Sequence, residues 1–275
     1  MTDTAATTRK AIFISGGGSG IGRATARLFA GRGWFVGIGD INQTGMEETK
    51  ALLPAGMCSI HRLDVREREQ WERALGEFAA ASGGRMDVLF NNAGVGLGGA
   101  FDALSPTDAD FVIDVNFRGV MNGIYLGLPL LRATPGSCIL NTGSASGFYG
   151  TPGLSIYSAS KFAVRAMTEA LEIEFANEGI KVRSLMPGFI DTPLLQQAVP
   201  GSNETSRDRV VQAGLEFTPV EQVAQAAWDA VHGDKVHTPV GKTAKRLAFA
   251  TRWLPGRLRK QLKGQRGVGS LSLGN

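Results

Sequence analysis

The sequence predicts an α/β fold in which a doubly wound parallel sheet carries helices on both faces. Three observations predict it. Short apolar runs alternate with helical periodicities along most of the chain, the pattern of repeated strand–helix–strand units. The first run passes through a cluster of glycines straight into a helix. Small or polar residues also gather at the ends of successive apolar runs. In such a sheet, ligands bind outside the carboxyl ends of the strands. Those residues therefore mark where function is expected.

Ala11 to Ser15 (AIFIS) reads as a buried strand, and Ile21, Ala24 and Leu28 set the apolar stripe of the helix after it. The turn between them holds Ser15, Gly16, Ser19, Gly20, Ile21 and Gly22. Glycines let backbone turn tightly and approach a pyrophosphate, and the helix N-terminus offers free N–H groups to an anion. A turn that only reverses the chain would carry similar residues; the flanking strand and helix favour the anion site. A second strand, Trp34 to Gly39, ends at Asp40, 18 residues past Gly22. A carboxylate there accepts hydrogen bonds from an adenosine ribose and repels a 2′-phosphate. Ser19 and Ile41 offer that phosphate no cation, so NAD is favoured over NADP. A solvated strand-end acid is the alternative.

The third strand is expected over Ser59 to Val65, with a helix beginning near Arg66. Asp64, followed by Val65, would either accept from an adenine amino group or cap that helix. Asp87 to Phe90 forms the fourth strand, followed by Asn91, Asn92, Ala93 and Gly94. Asparagines placed there tie loops together or touch a cofactor. Ser105, Pro106 and Asp108 open a helix as N-cap, N1 and N3. Asn116 lies in its apolar continuation and needs a partner, either backbone in a bend or water near the site.

The fifth strand, Ser137 to Thr142, runs out into a Gly-rich loop bearing Ser144; Tyr157 follows thirteen residues on and Lys161 four further. Four residues are about one helical turn, so Tyr157 and Lys161 share a face of a helix expected to run to about Asn177. A hydroxyl, a phenol and an ammonium converging at a strand end suit proton transfer on an alcohol or carbonyl. Lys181 to Met186 is the sixth strand, closed by Pro187 and Gly188. The segment 189–214 reads as a long mobile loop of the kind that forms a lid. Thr218 and Glu221 suggest a capping box restarting helix, and Lys235 to Val240 suggests a last strand.

The 275 residues suffice for one sizeable α/β core, and no apolar run reaches the length of a spanning helix. The polar N-terminus does not resemble a secretory signal. Cys58 and Cys138 lack metal-ligand spacing and read as reduced core thiols of a cytoplasmic protein; no metal is expected. Charge divides sharply. Nineteen cations face twenty-five acids before Lys235, and ten cations face none from there on. The main domain is mildly acidic and the tail strongly basic.

These residues together resemble the short-chain dehydrogenase/reductase family over roughly residues 9–240. Its glycine motif T-G-x-x-x-G-x-G is matched from Ser15 to Gly22, with serine in place of threonine; N-N-A-G stands at 91–94 and Y-x-x-x-K at 157–161. The resemblance implies a Rossmann-type sheet of about seven strands, catalytic Asn116, Ser144, Tyr157 and Lys161, and a nicotinamide contact at Thr192. It also places Pro187, Gly188, Ile190, Tyr157 and Lys161 against the cofactor. It implies a homodimer or homotetramer packed through helices at 105–132 and 157–177. Hydride would pass between NAD(H) and an alcohol or ketone, with Tyr157 as acid/base made acidic by Lys161, Ser144 on the substrate oxygen, and Asn116 positioning a water. Phe148, Tyr149, Phe189, Leu194 and Leu195 would line an apolar pocket for a bulky secondary alcohol, or else belong to the core. The alternative readings are a non-catalytic NAD-binding sensor or scaffold, and a membrane-surface member of the family acting on lipidic substrates.

Residues 1–241 would form the catalytic domain and 242–275 a basic amphipathic extension. Pro255 should split the extension into two short helices. Packing on the domain with a solvated basic face is favoured; an anionic membrane surface contacted through 242–266, or a partner subunit, are the alternatives. No nucleic-acid partner is expected, since no stacking motif accompanies the charge.

Overall fold

In the computed structural model, which describes residues 9–196 and 204–263, seven strands form one parallel sheet in the order β3-β2-β1-β4-β5-β6-β7. They are β1 (Ala11–Ser15), β2 (Phe35–Asp40), β3 (Cys58–Arg62), β4 (Val88–Asn91), β5 (Cys138–Thr142), β6 (Lys181–Pro187) and β7 (His237–Val240). All five residues of β1 are buried, as a strand covered on both faces requires. Its side chains alternate: Ile12 and Ile14 enter one core, Ala11 and Phe13 the other.

The first core is closed by α1 (Gly20–Gly31), α2 (Gln43–Ala51) and α8 (Val220–His232), through Phe29, Met46, Val223 and Ala227. The second is closed by α3 (Arg68–Ser82), α5 (Gly119–Arg132) and α6 (Ser155–Glu174), through Trp71, Phe78, Ile124 and Val164. Phe13 and Phe78 meet edge-on with ring centroids 5.3 Å apart, an arrangement that suits the quadrupoles of the two rings. After β3 the chain crosses to β4 on the far side of β1. At that switch point the carboxyl ends of β1 and β4 lie side by side, the place where an open α/β sheet leaves a crevice.

Several boundaries differ from the sequence reading. β3 ends at Arg62, leaving Asp64 and Val65 in the following loop. α3 begins at Arg68, two residues later than expected, behind Glu67. The Thr218–Glu221 capping box does not form: α8 starts behind Pro219, and Thr218 instead bridges to Ile190. A capping box does form within the segment read as loop, where Thr205 and Asp208 cap α7 (Ser206–Gln212). Ser105 caps α4 (Pro106–Ile113) as expected, accepting from the Asp108 N–H at 3.1 Å. The helix then widens into a π turn over Asp114–Arg118 before α5.

Past β7, α9 (Lys242–Trp253) and α10 (Pro255–Lys263) meet at Leu254, the break expected at Pro255. Ala244, Leu247, Leu258 and Leu262 are buried in a third cluster with Ala145, flanked by Phe148, Tyr149, Phe189 and Leu215. Among the described residues no helix is long and apolar enough to cross a membrane.

Candidate active site

A cleft of about 450 Å³ runs along the carboxyl ends of the strands. At one end it is lined by Gly16, Ser19, Gly20, Ile21, Asp40 and Ile41, and then by Asp64, Val65, Asn92, Ala93 and Gly94. Ser144, Tyr157 and Lys161 line its middle, and Pro187, Gly188, Ile190 and Thr192 also line it, Thr192 next to Gly20.

Three residues read as site residues do not line it: Ser15, Gly22 and Asn116. Each supports the lining from behind. The Ser15 hydroxyl accepts from the N–H groups of Asn92 and Ala93 at 3.1 and 3.2 Å, joining the ends of β1 and β4. At Gly22 any side chain would drive into the Gly16 carbonyl oxygen; the glycine allows the helix to start directly against the turn. Asn116 sits fully buried in the π turn and bonds both ways to the Val95 backbone.

The glycine turn suits an anion. Ser19 occupies the N-cap of α1 without a side-chain cap bond, and no acid lies in the first turn. The first N–H groups of the helix thus face the cleft uncommitted to a cap, beside the positive end of the helix dipole. Asp40 is held at the end of β2, its Oδ2 accepting from Gly18 N–H and its Oδ1 from Asn42 N–H, both at 2.9 Å. Each oxygen keeps a lone pair for another donor. Arg23, a cation that the sequence reading did not weigh, lies close by. It is engaged by Glu48, Thr49 and the Gly18 carbonyl.

Asp64 resolves neither as a cap nor as a free acceptor. Its carboxylate takes the Arg66 guanidinium and the Arg66 N–H, and this pairing holds it below the usual carboxylate range. Asn92 is used structurally: Nδ2 donates to the carbonyls of Ser15 and Gly16, and Oδ1 accepts from Thr142.

Tyr157 and Lys161 lie one turn apart on α6, with the Lys161 Nζ 5.7 Å from the phenol ring centre. Lys161 is buried and donates to the Thr142 carbonyl at 2.9 Å. Burial lowers its pKa to about 8, leaving it largely protonated at neutral pH. Burial also pushes the Tyr157 phenol up, and a hydrogen bond with Ser144 pulls it back in part. Desolvation is the larger of these two effects on the phenol, and the Ser144 hydrogen bond opposes it.

The apolar end of the cleft also differs from expectation. Phe189, Leu194 and Leu195 line it, but Phe148 and Tyr149 pack on the α9–α10 cluster instead. Leu154, Val210, Thr243 and Leu247 join the lining. The last two come from α9, which brings the C-terminal extension into the site. Among the described residues no group of His, Cys, Asp and Glu is placed to hold a metal ion.

Comparison with known proteins agrees with this geometry. The family model described as short chain dehydrogenase matches residues 10–203. The chain belongs to that family of oxidoreductases, whose members bind a nicotinamide cofactor. It is 35% identical over 220 residues to the 3-oxoacyl-(acyl-carrier-protein) reductase FabG of Thermotoga maritima, covering 78% of this chain and 87% of that protein. It is 36% identical over 193 residues to the cyclohexanol dehydrogenase of an Acinetobacter species, covering 68% of this chain and 76% of that one. A solved short-chain dehydrogenase/reductase from Burkholderia phymatum, in complex with NAD, superposes with a TM-score of 0.79 at 27% identity, covering 92% of this chain and 95% of the other.

Proposed function

We propose that this chain is an NAD-dependent dehydrogenase or reductase that interconverts a bulky apolar secondary alcohol and its ketone. One observation carries the reading. Ser144, Tyr157 and Lys161 line the middle of a cleft that runs from the glycine turn and Asp40 at one end to an apolar chamber at the other. Bound NAD supplies a hydride acceptor, and NADH a donor, at the nicotinamide carbon. Gly16, Ser19, Gly20 and Ile21 would hold its pyrophosphate, and Ala93, Gly94, Ile190 and Thr192 its nicotinamide half. Asp40 would take the adenosine ribose hydroxyls on its spare lone pairs. That preference for NAD fits the carboxylate of Asp40 together with the engagement of Arg23 by Glu48.

Tyr157 takes the proton from the substrate hydroxyl in oxidation and returns it in reduction. The phenolate is the charged form that burial opposes, so it needs compensation. Lys161, whose ammonium lies 5.7 Å from the ring centre, is the cation placed to favour the charged form. Ser144 adds a hydrogen bond and orients the substrate oxygen. Asn116 fixes the Gly94–Val95 backbone beside Lys161, where a water linking that ammonium to solvent would sit. Phe189, Leu194, Leu195 and Leu247 give the substrate chamber its apolar character.

On this reading residues 1–241 are the catalytic domain and 242–275 an extension, of which Thr243 and Leu247 complete the substrate wall. Phe111 on α4, Tyr125 on α5, and Phe162 and Ile173 on α6 are exposed, which supports a homodimer or homotetramer packed through those helices. The two free cysteines fit a cytoplasmic location. NADH absorbance followed across a panel of secondary alcohols and ketones tests the assignment. Turnover of bulky cyclic members with NAD(H) is expected. No turnover of any member with either coenzyme overturns it.

A further inference from the structure

We infer that the outer face of the α9–α10 pair is a docking surface for an anionic lipid membrane. The two faces of this pair have opposite chemistry. Inward, Ala244 and Leu247 of α9 and Leu258 and Leu262 of α10 are buried against the domain. Outward, Lys242, Lys245, Arg246, Phe249 and Trp253 follow the spacing i, i+3, i+4, i+7 and i+11, one stripe of a helix. All five are exposed, with Phe249 at 60% and Trp253 at 63%, and Leu254 beside them at 43%.

Two large aromatics one turn apart in water are not needed by the fold, since the helix is already anchored on its other side. Around them stand Arg252, Arg257, Arg259, Lys260 and Lys263, all exposed, with no acid between residues 242 and 263. Among the described residues only Lys242 of these cations has an ion-pair partner, Glu216. Aromatic side chains flanked by Lys and Arg, with Arg252 itself lying over the Trp253 ring, match the headgroup layer, where amphipathic rings insert and cations meet anionic lipid. Two copies of this face would repel each other, so it does not suit a symmetric contact between subunits. Behind the same helix, Thr243 and Leu247 line the apolar end of the cleft, so docking would set the membrane beside the substrate wall.

The test uses the full chain and needs no turnover, so it stands or falls apart from the proposed reaction. The protein is sedimented with vesicles of phosphatidylcholine alone and of phosphatidylcholine with about a third phosphatidylglycerol. Sedimentation with the anionic vesicles only, weakened by salt as screening requires, is expected. Partitioning should fall about tenfold or more both in Phe249→Ser/Trp253→Ser and in Lys245→Glu/Arg246→Glu. All substituted side chains are exposed, and circular dichroism checks that both variants stay folded. Absence of binding to either vesicle overturns the inference, as does equal partitioning of wild type and variants. It is also overturned if the wild type self-associates without vesicles in a way the aromatic substitutions abolish.

Discussion

Asn116 and Val95 grip each other in both directions: the Val95 N–H donates to Oδ1 at 2.8 Å, and Nδ2 donates to the Val95 carbonyl at 2.9 Å. A third bond, from Nδ2 to Ser160 at 3.3 Å, ties the pair to α6 within one turn of Lys161. One buried amide therefore sets the distance between the loop after β4 and the helix that carries the phenol and the ammonium. Replacing Asn116 with Ala leaves the Val95 groups without their partner. Each such group costs roughly 1–3 kcal/mol when buried. Urea unfolding should show Asn116→Ala less stable by about 2–4 kcal/mol, with kcat reduced more than cofactor affinity. A variant as stable as the wild type would remove this positioning role.

Asp40 is fixed by two backbone donors before any ligand arrives. Its substitution should therefore act in two ways. Asp40→Ser removes the charge that repels a 2′-phosphate, so the ratio of kcat/KM for NAD over NADP should fall by about tenfold or more. It also frees the Gly18 and Asn42 amides, so the KM for NAD should rise. Coenzyme kinetics with one substrate measure both. An unchanged ratio would place coenzyme choice elsewhere, with Arg23 the next residue to examine.

Lys161 carries a signature in the pH dependence of stability. Its pKa falls from 10.5 to about 8 on folding, so between those values the unfolded chain binds more protons than the folded one. Stability must then rise with pH across that window. Below about pH 8 the cost of burying the ammonium is fully present; by pH 10.5 it is relieved. The shift corresponds to about 3 kcal/mol. Denaturation of the wild type and of Lys161→Met, compared from pH 7 to 10.5, should show the wild type gaining on the variant by up to that amount. A constant difference would mean that Lys161 is not titrating as a buried amine.

Much of this was legible from the chain because it is local. The glycine turn is bounded by a strand and a helix, and Tyr157 and Lys161 sit at a spacing that only a helix brings together. The acids and amides fall at strand ends that any parallel sheet would gather on one side. What was not legible depends on partners distant in sequence. Nothing near Asn116 announces Val95, or the π turn that aims it there. Thr243 and Leu247 look like any inward positions of a helix until α9 folds back over the cleft. Phe148 and Tyr149 look like pocket residues until α9 and α10 claim them. The Thr218–Glu221 pattern fits a capping box, but Thr218 is drawn to Ile190 instead, and Pro219 takes the cap.

The Tyr157 hydroxyl is the proposed proton carrier, and removing that oxygen alone tests its role most directly. Tyr157→Phe keeps the ring, its packing and the whole cofactor end of the cleft. Turnover followed by NADH absorbance, with NADH affinity measured in parallel by titration, should show the rate falling by about a thousandfold or more while affinity stays within about threefold. A variant that keeps a tenth or more of the wild-type rate would contradict the assignment.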